Sequence, residues 1–560
     1  MAAKKYLTVL LSSTLLAAAA GSAPLEAAAQ PDEASTSTFV VLMKGTTVDA
    51  GARAAIEKAG GTITKVDDKL GFAYVSASRA DFSQRVSQAG SVAGAARERT
   101  IGKAPKEVRA RASDVERLTA ERGTTRGQSV AAVAAPGAEP LASLQWDMRQ
   151  IGATSTGSYA KETASKKVRV GIIDTGVDGT HPDVAPNFDA ALSHNFVVDN
   201  PSIDGPCEHP GCVDPANEDD DGHGTHVAST IGAPINGLGI AGVAPDVDLV
   251  NIRAGQDSGY FFLQPTLEAL EYAGDIGVDV VNMSFYVDPW LYNCLDNPAD
   301  SPAERTEQRV IRTAVQRALD YATGHGVLPI AALGNEATDL NHPVSDATSP
   351  DFPADAAKER TVDNSCLNVP TESKGVVSVS STGPSLRKAY YSNWGTQETD
   401  LAAPGGDAYD TPAQTLSAQA LVLAAYPAAL AKANGDLNAD GTPNSAFVVQ
   451  SCNDKTCGYY QYLQGTSMAA PHATGVAALV VARHGRTDAK HGGLTLAPAR
   501  TTELLYASAT KVACPSPRTL HYTIVRASGT TGSDATCSGG RTDNGFYGHG
   551  VVNAYRAATS

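Results

Sequence analysis

No cysteine occurs before Cys207 and no C-x-x-C pair occurs anywhere, so a zinc ribbon or a redox dithiol has no basis in this sequence. Aromatic residues are scarce, at 6%, and charged residues make up only 19%. With 42% hydrophobic residues, the core must be built mostly from aliphatic side chains, and disorder is excluded. Basic residues are outnumbered 44 to 60, and a net charge of -16 argues against nucleic acid as the main partner. Apolar runs long enough to span a bilayer are also missing. The run from Tyr6 to Ala20 follows Lys4 and Lys5 and leads into small residues ending at Ala27-Ala28-Ala29, the pattern of a secretory signal peptide over residues 1–29. A second run, Ala420 to Ala431, is interrupted by Pro427. These features predict a secreted, extracellular protein with no membrane partner.

The eight cysteines agree with export, since an even number in a secreted chain predicts disulfides. Eight cysteines allow 105 connectivities. Proximity favours Cys207–Cys212 and Cys452–Cys457 as clamps on local loops. Charge is unevenly spread. Residues 30–140 carry 16 basic and 13 acidic side chains, whereas the chain from Leu141 onward is strongly acidic. A basic leader on an acidic body is suited to docking, or is simply a solvated surface.

At 560 residues the chain predicts two folded units with connecting segments. Phe39 to Met43 reads as a strand, and Val48 to Ala59 as a helix whose Ala52, Ala55, Ile56 and Ala59 form one apolar face. Thr62 to Val66 and Phe72 to Val75 alternate as strands; Ala80 to Ala89 reads as a helix and Ser91 to Ile101 as a last strand. The order β-α-β-β-α-β predicts a small α+β ferredoxin-like unit over residues 38–102. Residues 103–143 interleave arginines with Ala, Glu, Gly and Thr and read as an exposed, cuttable linker, with local helix the alternative. The large unit, residues 144–560, alternates strands (Val168–Ile173, Val247–Ile252, Val278–Met283, Val327–Ala332) with helices (Pro265–Gly274, Pro302–Thr323). That alternation predicts an α/β, three-layer domain with a mainly parallel central sheet. Functional residues are then expected at the carboxyl ends of the strands.

Three stretches carry chemistry. Asp174 follows the apolar Gly171-Ile172-Ile173; His223 is framed by glycines in Asp221-Gly222-His223-Gly224-Thr225-His226; Ser467 opens a run of small residues in Gly465-Thr466-Ser467-Met468-Ala469-Ala470-Pro471. Alone, each has a plain structural explanation, for Ser467 an N-cap. Together they supply a hydroxyl nucleophile, a base and an acid that fixes the base's tautomer, in the chain order Asp…His…Ser.

On these motifs the chain resembles the subtilases, the subtilisin-like serine endopeptidases. Asn335, in Ala331-Ala332-Leu333-Gly334-Asn335-Glu336, matches that family's oxyanion-hole asparagine, and Leu401-Ala402-Ala403-Pro404-Gly405 matches a further segment. The resemblance implies that Ser467 attacks a peptide carbonyl, His223 moves the proton, Asp174 orients His223, and Asn335 with the Ser467 backbone N–H binds the oxyanion. It implies protein or peptide substrates, a zymogen cut between about Lys103 and Ser143, and residues 38–102 acting as an inhibitory prodomain and folding assistant. One departure concerns the substrate groove. Ser284, Phe285 and Tyr286, the expected substrate-binding residues, belong to a segment that in the family has two glycines where Tyr286 and Val287 stand. Tyr260-Phe261-Phe262 reads either as a more distant apolar subsite or as core.

The resemblance implies no cofactor for catalysis and leaves room for a structural calcium ion, its position unassigned. Asp436, Asn438, Asp440 and Gly441 echo a calcium loop, although Phe447 stands where a bidentate glutamate belongs. The acidic run Glu218-Asp219-Asp220-Asp221 reads as a solvated loop. His223 and His226 at i, i+3 invite a metal reading, but the glutamate of the zinc-protease signature is absent, and His226 reads as a packed helix residue. Asp174-Thr175-Gly176 with Asp257-Ser258-Gly259 would suggest an aspartic protease, which leaves His223 and Ser467 unexplained. The competing class is a non-catalytic binding or inhibitory protein on the same scaffold; a narrow processing protease is a third reading.

Overall fold

The computed structural model describes residues 36–98, 112–118, 138–453, 456–526 and 529–560. The signal-peptide expectation and most of the linker lie outside these residues.

The N-terminal unit runs β1 (Ser37–Met43), α1 (Ala50–Ala59), β2 (Gly61–Asp67), β3 (Phe72–Ala77), α2 (Phe82–Val86), β4 (Val92–Glu98), with sheet order β2-β3-β1-β4. Asp49 caps α1 by accepting from the Ala52 N–H at 2.7 Å, and Gly60 ends it in the left-handed conformation. Phe39, Val41, Ala52, Ile56 and Phe82 pack between helices and sheet. The other face of the sheet, with Val40, Leu42, Phe72 and Tyr74, joins a core cluster of the large unit. Its charges are matched as well. Lys65 pairs with Glu268 at 3.0 Å, and Lys69 with Glu271 at 2.9 Å and Asp275 at 2.6 Å. Arg317 donates to the carbonyls of Met43, Gly45 and Leu70.

The large unit continues with α3 (Ala112–Arg117), α4 (Trp146–Ile151), β5 (Arg169–Ile173), β6 (His194–Asn195), α5 (His223–Gly232), β7 (Asp248–Arg253), α6 (Leu263–Ile276), β8 (Val280–Met283), α7 (Pro302–Gly324), β9 (Leu328–Ala332), a short β10/β11 pair (Ser345–Asp346, Arg360–Thr361), β12 (Val377–Thr382) and β13 (Leu401–Pro404). Then come β14 (Val422–Tyr426), α8 (Ala428–Ala433), β15 (Val448–Cys452), β16 (Cys457–Leu463) and α9 (Thr466–His484). The central sheet has seven strands in the order β13-β12-β9-β8-β5-β7-β6, and every pair is parallel. Apart from the short edge strand β6, its strands are covered on both faces: α5 and α9 share a core with one face, α6 and α7 with the other. Ser301 and Glu304 form a reciprocal capping box that starts α7, with Pro302 in its first turn.

Some expectations shift. Residues 138–143 were assigned to the linker, yet Leu141 donates to the Gly239 carbonyl at 2.8 Å and Glu139 is buried against the large unit. The α3 segment, also assigned there, lies in a cleft of the large unit. The stretch 405–465 forms its own antiparallel sheet, β14-β16-β15. Disulfides join Cys207–Cys212, Cys294–Cys366, Cys452–Cys457 and Cys514–Cys537. The two local pairs are those proximity favours. Cys294–Cys366 closes a gap of 72 residues, beside backbone hydrogen bonds exchanged between Asn293 and Leu367.

Candidate active site

The topology brings the three motifs to one end of the sheet. Asp174 directly follows β5, His223 opens α5 and Ser467 stands second in α9, where backbone N–H groups have no intrahelical acceptor. Gly465, at φ 153°, makes the turn into α9 in a region L side chains rarely adopt. Pro471 shapes the same helix. It has no N–H to give to the Ser467 carbonyl one turn back, and the Ser284 hydroxyl donates to that carbonyl instead, at 3.0 Å. The end of β8 is thereby pinned beside Ser467.

Asp174 is fully buried, and its Oδ1 lies 2.7 Å from His223 Nδ1. This places the proton on Nδ1 and aims Nε2 into the cleft. Asn335, after β9, is oriented by the backbone N–H of Thr466, which donates to its Oδ1 at 2.9 Å; its Nδ2 therefore points inward as a donor. Asp174, His223, Ser467 and Asn335 are thus assembled in one place. Ser284, Phe285 and Tyr286 line the same cavity, of about 230 Å³, together with Tyr260 and Phe261. Phe285 stacks on Phe261 with centroids 4.1 Å apart, whereas Phe262 packs on Tyr260 and Phe352. The aromatic triplet therefore serves both cleft and core.

A residue that sequence reasoning missed completes the site. Glu116 of α3 is buried among these groups. The Ser467 hydroxyl donates to its Oε1 at 2.7 Å, Asn335 Nδ2 donates to the same oxygen at 3.1 Å, and His223 Nε2 lies 3.5 Å from Oε2. The neighbouring Arg117 pairs with Asp221, and the Gln464 side chain donates to the Val115 carbonyl at 2.8 Å. Nothing in the local sequence marks Glu116, since α3 is six residues long and shows no strong apolar period. Electrostatics follow from this arrangement. Burial works against a charged His223, but Asp174 and then Glu116 outweigh it and push its pKa up to about 10. Burial raises the Glu116 carboxyl, while His223 and Ser467 pull it back.

His226 is not part of this chemistry. Its Nε2 donates to the carbonyls of Val422 and Gln461, at 3.2 and 3.1 Å, and burial pushes its pKa down to about 3. Asp257 does not reach Asp174 as a second aspartic-protease carboxylate would; it pairs with Arg253 at 2.7 Å. In the expected calcium loop, Asp440 and Asn438 turn onto Thr442. Carboxylates close enough to share a cation are instead Asp199, Glu208 and Asp214, and Asp214, Asp220 and Asp257. Arg253 already pairs with Asp199, Asp214 and Asp257. One guanidinium does not balance the group: burial pushes Asp199 to about 7 and Asp257 to about 8, and Asp199 Oδ2 and Asp214 Oδ1 are buried without a hydrogen-bond partner. These hard oxygen donors fit a calcium ion.

Residues 165–550, more than half of the chain, match the model of the subtilase family. The chain belongs to the subtilase family. Among curated subtilases, M-protease of Shouchella clausii is 28% identical over 338 residues, an alignment covering 60% of this chain and 60% of that protein. Subtilisin DY of Bacillus licheniformis is 27% identical over 317 residues, 57% of this chain and 77% of that one. Among solved structures, the epidermin leader peptide processing serine protease of Staphylococcus aureus aligns with a TM-score of 0.59 at 21% identity, covering 94% of this chain and 98% of that one. Fervidolysin of Fervidobacterium pennivorans aligns with a TM-score of 0.54 at 20% identity, covering 95% and 62%. Both share the subtilase fold.

Proposed function

We propose that this protein is a secreted serine endopeptidase that hydrolyses peptide bonds through an Asp174–His223–Ser467 triad and an acyl-enzyme, and that it is made as a zymogen. The observation that carries the reading is the position of Glu116. A carboxylate oxygen between the Ser467 hydroxyl and Asn335 Nδ2 stands where the oxygen of an attacked carbonyl would stand, so the site is built to hold developing negative charge there. In the reaction, Ser467 Oγ attacks the carbonyl carbon and His223 Nε2 takes the proton. Asp174 stabilises the imidazolium, and Asn335 Nδ2 with the Ser467 N–H holds the oxyanion. His223 then gives the proton to the leaving amine, and water hydrolyses the ester by the same steps in reverse.

The zymogen reading rests on the same contact. With Glu116 in place the nucleophile is bonded to a carboxylate, and His223, between two carboxylates, is held as an imidazolium that cannot accept a proton. Residues 38–102 act as the prodomain, docked through Lys65, Lys69 and Arg317. Disulfides support an oxidising, extracellular location. Catalysis needs no cofactor; a structural calcium ion would be held by Asp199, Glu208 and Asp214.

Ser467→Ala tests the peptidase reading. Casein hydrolysis and fluorophosphonate labelling are expected in the processed wild type and absent in the variant, with turnover down by about 10⁶. Near-normal hydrolysis in Ser467→Ala would overturn it. A wild-type chain that is processed yet never labels would favour the non-catalytic alternative.

A further inference from the structure

Acidic side chains outnumber basic ones in the cavity beside Ser467. It runs between the end of β8, at Ser284-Phe285-Tyr286, and the end of β9, at Ala332 to Glu336. The Ser284 carbonyl lies 3.3 Å from Ser467 Oγ, so the cavity begins at the nucleophile. Asp288, Glu336 and Asp351 all line it, and the only lysine or arginine among the described lining residues is Arg117 of α3. Of the three carboxylates, Asp351 bonds Tyr286, while Asp288 accepts from the Phe261 N–H and Glu336 from Asn393 Nδ2. The Tyr286 hydroxyl donates to Asp351 Oδ2 at 2.7 Å, and burial, with the fields of Asp351, Asp288 and Glu336, holds the phenol well above its ordinary pKa. Burial likewise raises the Glu336 carboxyl. Part of the wall is apolar, formed by the stacked Phe261 and Phe285.

Such a lining suits one class of side chain. An apolar group entering would bring no counter-charge to the three carboxylates. A long basic side chain would lay its aliphatic stem along the aromatic wall and deliver its cation to the carboxylates. The chain shows this pairing at the cavity's rim, where Arg117 sits on Asp221.

We propose that this cavity receives the side chain on the acyl side of the scissile bond and selects arginine or lysine, with Tyr286 and Asp351 forming its recognition end. The residues that replace two glycines of the family pattern then narrow the groove into a charge-selective pocket. The proposal rests on the endopeptidase reading and deepens it.

The test uses the full-length protein, allowed to process itself, against quenched peptides that differ only at the residue before the cut: Arg, Lys, Phe, Leu or Glu. Expected is a kcat/KM for Arg or Lys at least about 100-fold above Phe and Leu, with Glu poorest. Asp351→Asn should lower the Arg-to-Phe ratio at least about tenfold. Both substrates are cut by the same preparation, so partial misfolding cancels from the ratio. Should Asp351→Asn yield no folded protein, Glu336→Gln is measured in the same way. A protein that labels with fluorophosphonate but cuts after Phe or Leu as well as after Arg overturns the proposal, as does an unchanged ratio in the variant. A protein that neither labels nor cuts any peptide overturns the endopeptidase reading itself.

Discussion

Glu116 Oε1 lies 2.7 Å from Ser467 Oγ, and the hydroxyl donates to it across a sequence separation of 351 residues. The Ser467 hydroxyl is therefore occupied by the chain's own carboxylate.

Removing the charge of Glu116 should unlock the site without any cut. In Glu116→Gln the shape is kept while the second carboxylate beside His223 is lost. Fluorophosphonate labelling of the intact, leader-bearing chain is expected to quicken at least about tenfold, because His223 regains its capacity as a base. Equal labelling rates in variant and wild type would show that Glu116 does not restrain the nucleophile.

Alkaline pH should have a related effect. The His223 pKa is raised to about 10 with Glu116 in place, and release of α3 removes Glu116's part of that rise while Asp174 stays. A raised histidine favours the closed form, and that contribution is lost as pH climbs through 10. Release of the N-terminal unit, followed by gel or by amino-terminal sequencing, should accelerate steadily from pH 7 to pH 10. The same profile in Glu116→Gln should be flatter. A wild-type rate that falls over this range would contradict the assignment.

Asn335→Ala removes a donor aimed at the transition state rather than at the bound peptide. Turnover is expected to drop by about 10²–10³, the order found for this kind of oxyanion donor, with little change in KM. Thr466, whose N–H and hydroxyl bond Asn335 Oδ1, loses a partner too, so the variant's melting temperature should be recorded beside its kinetics.

The carboxylates around Arg253 provide a stability test. If calcium fills out this cluster, adding a chelator should lower the melting temperature by a few degrees through mass action. Asp214→Asn should remove the response to chelator. A melting temperature indifferent to chelator in the wild type would discount the ion.

The candidate catalytic residues were legible because each is announced locally. Asp174 ends an apolar strand, His223 stands between glycines, and Ser467 follows a glycine whose backbone needs φ 153°. The alternation of strands and helices showed the parallel sheet for the same reason, since periodicity is a short-range property. What stayed hidden comes from remote segments. Glu116 reaches the triad on a six-residue helix with no pattern of its own, and Asp351 enters the cavity from a long connection between β9 and β12. Cys294–Cys366 spans 72 residues and was not distinguishable from other pairings, whereas the two five-residue pairs were. The cluster at Arg253 was obscured differently, because acidic loop residues look alike in sequence whether solvated or gathered round a cation.

The bridge between Cys294 and Cys366 joins the two segments that frame the acidic cavity: Asp288 lies six residues before the first cysteine, and Asn368 two residues after the second. Its integrity makes the pocket a property of the compartment as well as of the fold. Among reducing thiols Asp174, His223 and Ser467 would stay on their strand and helix ends, while the segments framing the cavity would lose their covalent tie and keep the Asn293–Leu367 backbone hydrogen bonds.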